Sequence, residues 1–263
     1  MLLRDWTCAR LGGADESRRT ARADRRRRSG PLRLSRTRLV PLAGLAGREV
    51  FESCPRARWL LPVSTWLPLG AGDSTRCVRT NGRIFEAVTA RYERRARCDL
   101  YHAALEVGLG DDRFVIEMAP VWSLKQTDRG VVCEGAVGLR WLGRSRLFRY
   151  EVRRWRDGVI PDASEAVDSP RRLSTDWVQA AHVLALVPAF PTATWGRNEL
   201  KAGGAWNSNS LIAWLLARSG HDMPDIGPPA HGRAPGWSAG LVIAQRDADA
   251  DRPGPGGTVR RSV

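Results

Sequence analysis

Tyr101-His102-Ala103-Ala104-Leu105-Glu106-Val107, then Gly108-Leu109-Gly110-Asp111-Asp112, then Phe114-Val115-Ile116-Glu117-Met118, is the stretch on which the fold turns. Tyr101, Ala103, Leu105 and Val107 alternate with His102, Ala104 and Glu106. Beyond the polar turn, Phe114, Ile116 and Met118 alternate with Val115 and Glu117. A period of two on both sides of a Gly/Asp turn predicts a β-hairpin with one apolar and one mixed face. Working outward, Ile84, Phe85, Val88 and Tyr92 recur at helical spacing and predict an amphipathic helix over 83–95. Val131–Val137 and Ser145–Trp155 read as further strands. Asp176–Val187 reads as a helix ended by Pro188, and a last helix is expected over Ser208–Arg218, stopped by Gly220. Helix, strands, helix, helix with short connections favours an α+β fold: a small antiparallel sheet packed with helices.

The charge is uneven. Residues 1–60 hold fifteen arginines against six acids, whereas Arg79 to Gln245 holds twenty-two basic against eighteen acidic residues. Forty of the forty-two basic residues are arginine. A phosphate-binding surface ordinarily uses lysine as well, and a GC-rich genome produces the same skew, so the high pI argues little for nucleic acid as a partner. The composition divides the chain into an Arg-rich, irregular or disordered segment (1–79), an α+β domain (80–245) and a disordered tail (246–263). Trp59-Leu60-Leu61-Pro62-Val63 is a candidate for docking on the core. Eight of the eleven tryptophans fall between Trp122 and Trp237, which points to an aromatic-rich core or groove. Cys8, Cys54, Cys77, Cys98 and Cys133 include no C-x-x-C pair, so neither a zinc ribbon nor a disulfide framework is indicated. Free thiols imply a reducing, cytoplasmic setting. No apolar run approaches the ~20 residues of a membrane span. Leu39–Ala46 behind Arg25–Arg28 is too short and lacks the cleavage site of an export signal.

Three positions can carry chemistry together. His102 opens one strand, Glu117 lies on its hairpin partner, and Ser208 opens a helix within Trp206-Asn207-Ser208-Asn209-Ser210-Leu211. Nucleophile, imidazole base and orienting carboxylate on separate elements suit acyl transfer. The free N–H groups of a helix N-terminus favour the negative charge that develops there.

His102-Ala103-Ala104-Leu105-Glu106-Val107-Gly108 followed by Val115-Ile116-Glu117-Met118-Ala119 resembles the hairpin of NlpC-like papain-fold enzymes. Its order, hairpin first and nucleophile helix later, is that of their circularly permuted branch, which includes lecithin–retinol-acyltransferase-like proteins. Asn207-Ser208-Asn209-Ser210-Leu211 is similar to the branch's Asn-Cys motif, with Ser208 at the cysteine position. Together with Arg149-Tyr150-Glu151-Val152 it also resembles an uncharacterised bacterial group. The resemblance spans roughly 100–218. It implies a papain-like fold of the permuted NlpC type. It further implies an amide or ester hydrolase or acyltransferase with Ser208 as nucleophile, His102 as base and Glu117 as orienter. Trp206, Asn207 and Asn209 would bind a small-molecule, peptide or lipid-derived substrate, with no cofactor.

One departure opens an alternative. A thiol of reference pKa about 8.5 is ionised by a neighbouring imidazole, whereas a serine hydroxyl needs base assistance within the attack itself. A catalytically inactive binding module of the same fold therefore stands beside the enzyme, and a nucleic-acid-associated protein acting through Arg18–Arg38 stands third. Each residue also has a plainer use: Asn207, Ser208 and Asn209 are good helix caps, His102 suits a buried, hydrogen-bonded position, and Glu117 suits an arginine partner. His221, Asp222, Asp225 and His231 are metal-ligand types at irregular spacing, and no metal site is expected from them.

Overall fold

The computed structural model describes residues 62–71, 77–121, 128–160 and 162–252. The hairpin forms as its alternation requires: β2 (Asp99–Leu109) pairs antiparallel with β3 (Asp112–Pro120). The connection needs a left-handed residue, supplied by Gly110 at φ +64°. On one side β2 pairs with β1 (Val63–Pro68), whose other edge holds the two-residue β6 (Arg171–Arg172). On the other side β3 pairs with β5 (Arg149–Arg156), and β4 (Val131–Ala136) forms the far edge. The order is β4-β5-β3-β2-β1-β6, antiparallel throughout, with β7 (Gly232–Arg233) adding a short parallel pairing to the start of β2. The fold is α+β.

Alternation assigns the two faces. Tyr101, Ala103, Leu105 and Val107 of β2, Ile116 and Met118 of β3, and Tyr150 and Val152 of β5 form one core with three helices. These are α2 (Trp177–Leu186), α3 (Ser208–Arg218) and α4 (Trp237–Ala250). Each large aliphatic buried here contributes roughly 1.5–3 kcal/mol, and α3 alone inserts Leu211, Ile212, Leu215 and Leu216. Trp206 stacks on Phe190 at 4.9 Å, and Trp66 lies 5.1 Å from Trp237. The opposite face carries a smaller cluster of Leu67, Ala71, Ala104, Val115 and Ile160.

Four expectations need correcting. The segment 1–79 is not wholly outside the domain, because β1 lies inside the sheet with Trp66 and Leu67 buried. Its six residues, closed by Pro68, are too short for alternation to register. The helix expected over 83–95 is α1 (Cys77–Tyr92), and its orientation is the reverse of what its apolar spacing implies. Gly82, Glu86 and Ala90 face inward, whereas Ile84, Phe85, Val88 and Tyr92 face solvent. The strand expected from Ser145 starts only at Arg149, after a 3-10 turn over Arg146–Phe148. The helix over Ser208–Arg218 is not the last: α4 follows and extends past residue 245 into the stretch read as tail.

α4 hides from periodicity because it packs through small residues. A Cβ on Gly240 would lie 2.4 Å from the Ser210 carbonyl oxygen, so α3 and α4 approach at backbone distance. Trp214 Nε1 donates to Asp247 at 2.8 Å and Arg218 pairs with Asp251 at 2.5 Å, fixing the register of the pair. Arg18–Arg38, Leu39–Ala46, Trp59-Leu60-Leu61 and the tail from 253 lie outside the described residues.

Candidate functional site

The run Asn207-Ser208-Asn209-Ser210 is the start of α3, and three of its four side chains are tied into structure. Asn207 is the N-cap: its Oδ1 accepts from the backbone N–H of Asn209 (3.0 Å) and Ser210 (3.3 Å), while Ser210 Oγ accepts from the Asn207 N–H. That is a reciprocal capping box. Asn207 Nδ2 donates to the Pro235 carbonyl at 2.8 Å, and Ser210 Oγ donates to the Gly236 carbonyl at 2.8 Å. Gly236 is required there, at φ +89° with a Cβ position 2.4 Å from Asn207 Oδ1.

Asn209 has the most demanding position. Its Oδ1 accepts from Ala103 N–H at 2.8 Å, and its Nδ2 donates to the Tyr101 carbonyl at 3.0 Å and the Pro235 carbonyl at 2.9 Å. One buried amide therefore clamps β2 on either side of His102 and holds the α3–α4 connection against it. Ser208, the first helical residue, is half-buried, and its hydroxyl forms no hydrogen bond among the described residues. Trp206 is 1% exposed and donates from Nε1 to the Pro191 carbonyl, so it belongs to the core rather than to a substrate groove.

His102 and Glu117 occupy the other face of the sheet. His102 pairs in register with Leu67 of the smaller cluster, one residue out of phase with Tyr101 and Ala103 of the helix-side core. The structure thus brings the elements of His102 and Ser208 together through Asn209 but directs the imidazole away from the helix layer. No hydrogen bond links His102, Glu117 and Ser208 among the described residues. Glu117 instead pairs across the β3–β5 ladder with Arg153 at 2.5 Å. Arg153, 1% exposed, also holds Glu151, whose two carboxylate oxygens accept from Arg129 Nε and Nη2 at 2.6 and 2.9 Å. Burial works to raise the Glu151 pKa, but the hydrogen bonds from Arg129 and Arg153 prevail and leave it below the ordinary carboxylate range. Two carboxylates and two guanidinium groups thus alternate across the sheet.

Burial pushes the His102 pKa down to about 4. The folded chain therefore resists protonation at pH values where the unfolded imidazole, near 6.5, accepts a proton. Between those values the unfolded state binds more protons, so stability falls as pH drops from about 6.5 to about 4. Burial also lowers His221, which acts in the same direction as pH drops below 6.5. Thermal midpoints of the native chain measured from pH 7 to pH 4 should fall, and His102→Gln should reduce that fall by the equivalent of roughly 2 kcal/mol. An unchanged profile in His102→Gln would show that the imidazole is not desolvated.

A second locus was missed by sequence reasoning. A cleft of about 260 Å³ is lined by Gly135, Ala136, Arg140, Gly143, Arg144, Arg149, Thr192 and Thr194. β4 and β5 supply one wall, the 3-10 turn Arg140–Arg144 a second, and the segment after α2 the third. Arg149 pairs with Glu134 at 2.6 Å. Arg140 and Arg144 form no ion pair among the described residues. Glu199, within electrostatic range of Arg140, is held by the Thr194 N–H at 3.0 Å and hydroxyl at 2.7 Å. The only signal in the sequence is the spacing Arg140-Trp141-Leu142-Gly143-Arg144, which reads as an ordinary connection until the fold brings Arg149 and Thr192 beside it.

The metal-type residues do not assemble: Ser219 Oγ and His221 Nδ1 lie 2.9 Å apart at the end of α3, and no cluster among the described residues could hold a metal ion. No described helix is long and apolar enough to cross a membrane. Cys98 and Cys133 are free thiols. The arm Arg18–Arg38 lies outside the described residues. Compared with known proteins, the chain matches no family model, no curated protein and no solved structure.

Proposed function

We propose that this protein is a non-catalytic binding module, on a frame of the permuted NlpC-like type, that holds a small anionic ligand in the arginine-lined cleft. The observation that carries the reading is the convergence of Arg140, Arg144 and Arg149 on one concavity, with two of the three lacking an ion-pair partner among the described residues. Guanidinium groups with fixed planar donors favour phosphate and carboxylate ligands. Against catalysis stand the engagement of Glu117 by Arg153 and the use of Asn207, Asn209 and Ser210 as a staple. A cytoplasmic setting belongs to the same reading. Calorimetric titration of the full chain with inorganic phosphate and pyrophosphate should show binding that weakens at least tenfold in Arg144→Glu, an exposed position whose substitution leaves the thermal midpoint unchanged. Equal affinity in the variant would sink the proposal.

One observation favours a second reading, the hydrolase or acyltransferase. The Ser208 hydroxyl at the start of α3 is unengaged among the described residues, and Asn209 binds that helix end to the strand carrying His102. A working nucleophile would be labelled by a fluorophosphonate, and His102→Ala would abolish labelling, since general-base assistance is worth ~10²–10⁴ in rate. The expected result is no labelling of Ser208.

A further inference from the structure

The outer face of α1 carries an apolar ridge of four side chains without a partner among the described residues. At 100° per residue, Ile84, Phe85, Val88 and Tyr92 fall within about 100° of one another around the helix axis. Val88 is 65% and Tyr92 89% exposed, and Ile84 and Phe85 are exposed as well. Four large apolar side chains on one exposed helix face contrast with the inward face, where Gly82 meets Leu69 and Leu100 and where Glu86 is buried. Contiguous exposure of this kind marks an interaction surface.

Charge selects the occupant. The segment 77–98 contains six arginines and two carboxylates. Both carboxylates are engaged: Glu86 by Arg95 and the Cys98 N–H, Glu93 by Arg95 and Arg233. Arg83, Arg91, Arg94 and Arg97 are exposed and form no ion pair among the described residues. A second copy docked through α1 would set these arginines against their counterparts. The chain's own segment 1–60 is itself strongly basic, with fifteen arginines against six acids. Both occupants are disfavoured by like charge. The ridge is convex rather than grooved, which suits a deformable surface that lets apolar side chains in while anionic groups meet the flanking guanidinium groups.

We propose that α1 is a membrane-surface helix, inserting Ile84, Phe85, Val88 and Tyr92 at the headgroup boundary of an anionic bilayer. The full chain should co-sediment with vesicles containing phosphatidylglycerol and not with pure phosphatidylcholine vesicles. Phe85→Asp/Val88→Asp should lower the partition coefficient at least tenfold with no change in thermal midpoint, because both side chains are already exposed. Arg91→Ser, at the flank of the ridge, should lower it less and flatten its dependence on salt. Failure to bind anionic vesicles, or binding that Phe85→Asp/Val88→Asp leaves intact, as attachment through the Arg-rich segment would be, overturns the proposal. So does a concentration-dependent dimer of the native chain that Phe85→Asp/Val88→Asp abolishes, or capture of an acidic polypeptide by the same face in preference to lipid.

Discussion

Arg153→Ala is expected to destabilise the domain by about 3–5 kcal/mol, the largest single effect foreseen for any side chain discussed. Arg153 stands on β5 between two carboxylates, Glu117 on β3 and Glu151 on its own strand. Removing it leaves Glu151, 1% exposed, with Arg129, and leaves Glu117, 16% exposed, without its cation. The pairing itself adds little net stability, since desolvating both charges offsets most of the Coulombic gain. The loss arises from stranding charge. Arg153→Met combined with Glu117→Gln, which removes charge from both sides, should therefore recover much of the deficit. Chemical denaturation of the three chains at pH 7 tests this. A deficit under 1 kcal/mol in Arg153→Ala would mean that water reaches the array.

Asn209→Ala follows, with an expected loss of about 3 kcal/mol. The amide serves Ala103 N–H, the Tyr101 carbonyl and the Pro235 carbonyl, all at hydrogen-bonding distance and the first two shielded from solvent. Each buried backbone group left unsatisfied costs about 1–3 kcal/mol, partly relieved if water enters. For a domain of this size the thermal midpoint should drop by roughly 6–12 °C. Asn209→Asp keeps the acceptor but directs a carboxylate oxygen at two carbonyls, and should be no better than alanine. Asn207→Ala, which removes a cap from the same helix end, should cost only about 1 kcal/mol. If the two positions proved equal, Asn209 would be an ordinary cap residue and not a clamp between helix and sheet.

Elements whose apolar residues mark the side that is buried were legible in the sequence. The hairpin appeared because Tyr101 through Val107 alternates between a helix-covered and a mixed face, and α3 because its apolar residues surround a fully inserted helix. The helix read over Asp176–Val187 is α2 with its short 3-10 extension, and the structure shows Asp176 as its cap, accepting from the Val178 N–H. Elements that depart from this logic were not legible. Three of the five buried residues of α4 are Ala239, Gly240 and Ala244, which carry little hydropathy signal beside Trp237 and Ile243. β1 is short and closed by a proline. α1 misled in the opposite sense, since its apolar positions mark an outward face and its buried side consists of glycine, alanine and a paired glutamate. The site divides the same way. The start of α3 was located to the residue, but its side chains serve capping and clamping, uses that the same residue types permit. The direction of His102 depended on which face the helices cover. The cleft needed three distant segments to meet.

The position of β1 governs the order in which the domain can assemble. Synthesis delivers Trp66 before either of its neighbours: β2 begins at Asp99 and β6 only at Arg171. Until the hairpin closes, the backbone donors and acceptors of Val63–Pro68 have no ladder, and the Trp66 ring has none of its core, since Trp237 is made last among its partners. Pairings this distant in sequence fold slowly, because the entropy of closing the loop precedes any contact that compensates for it. The nascent chain thus carries an unpaired, apolar strand until β2 has been made, and α4 is the segment whose arrival completes the shelter around that tryptophan.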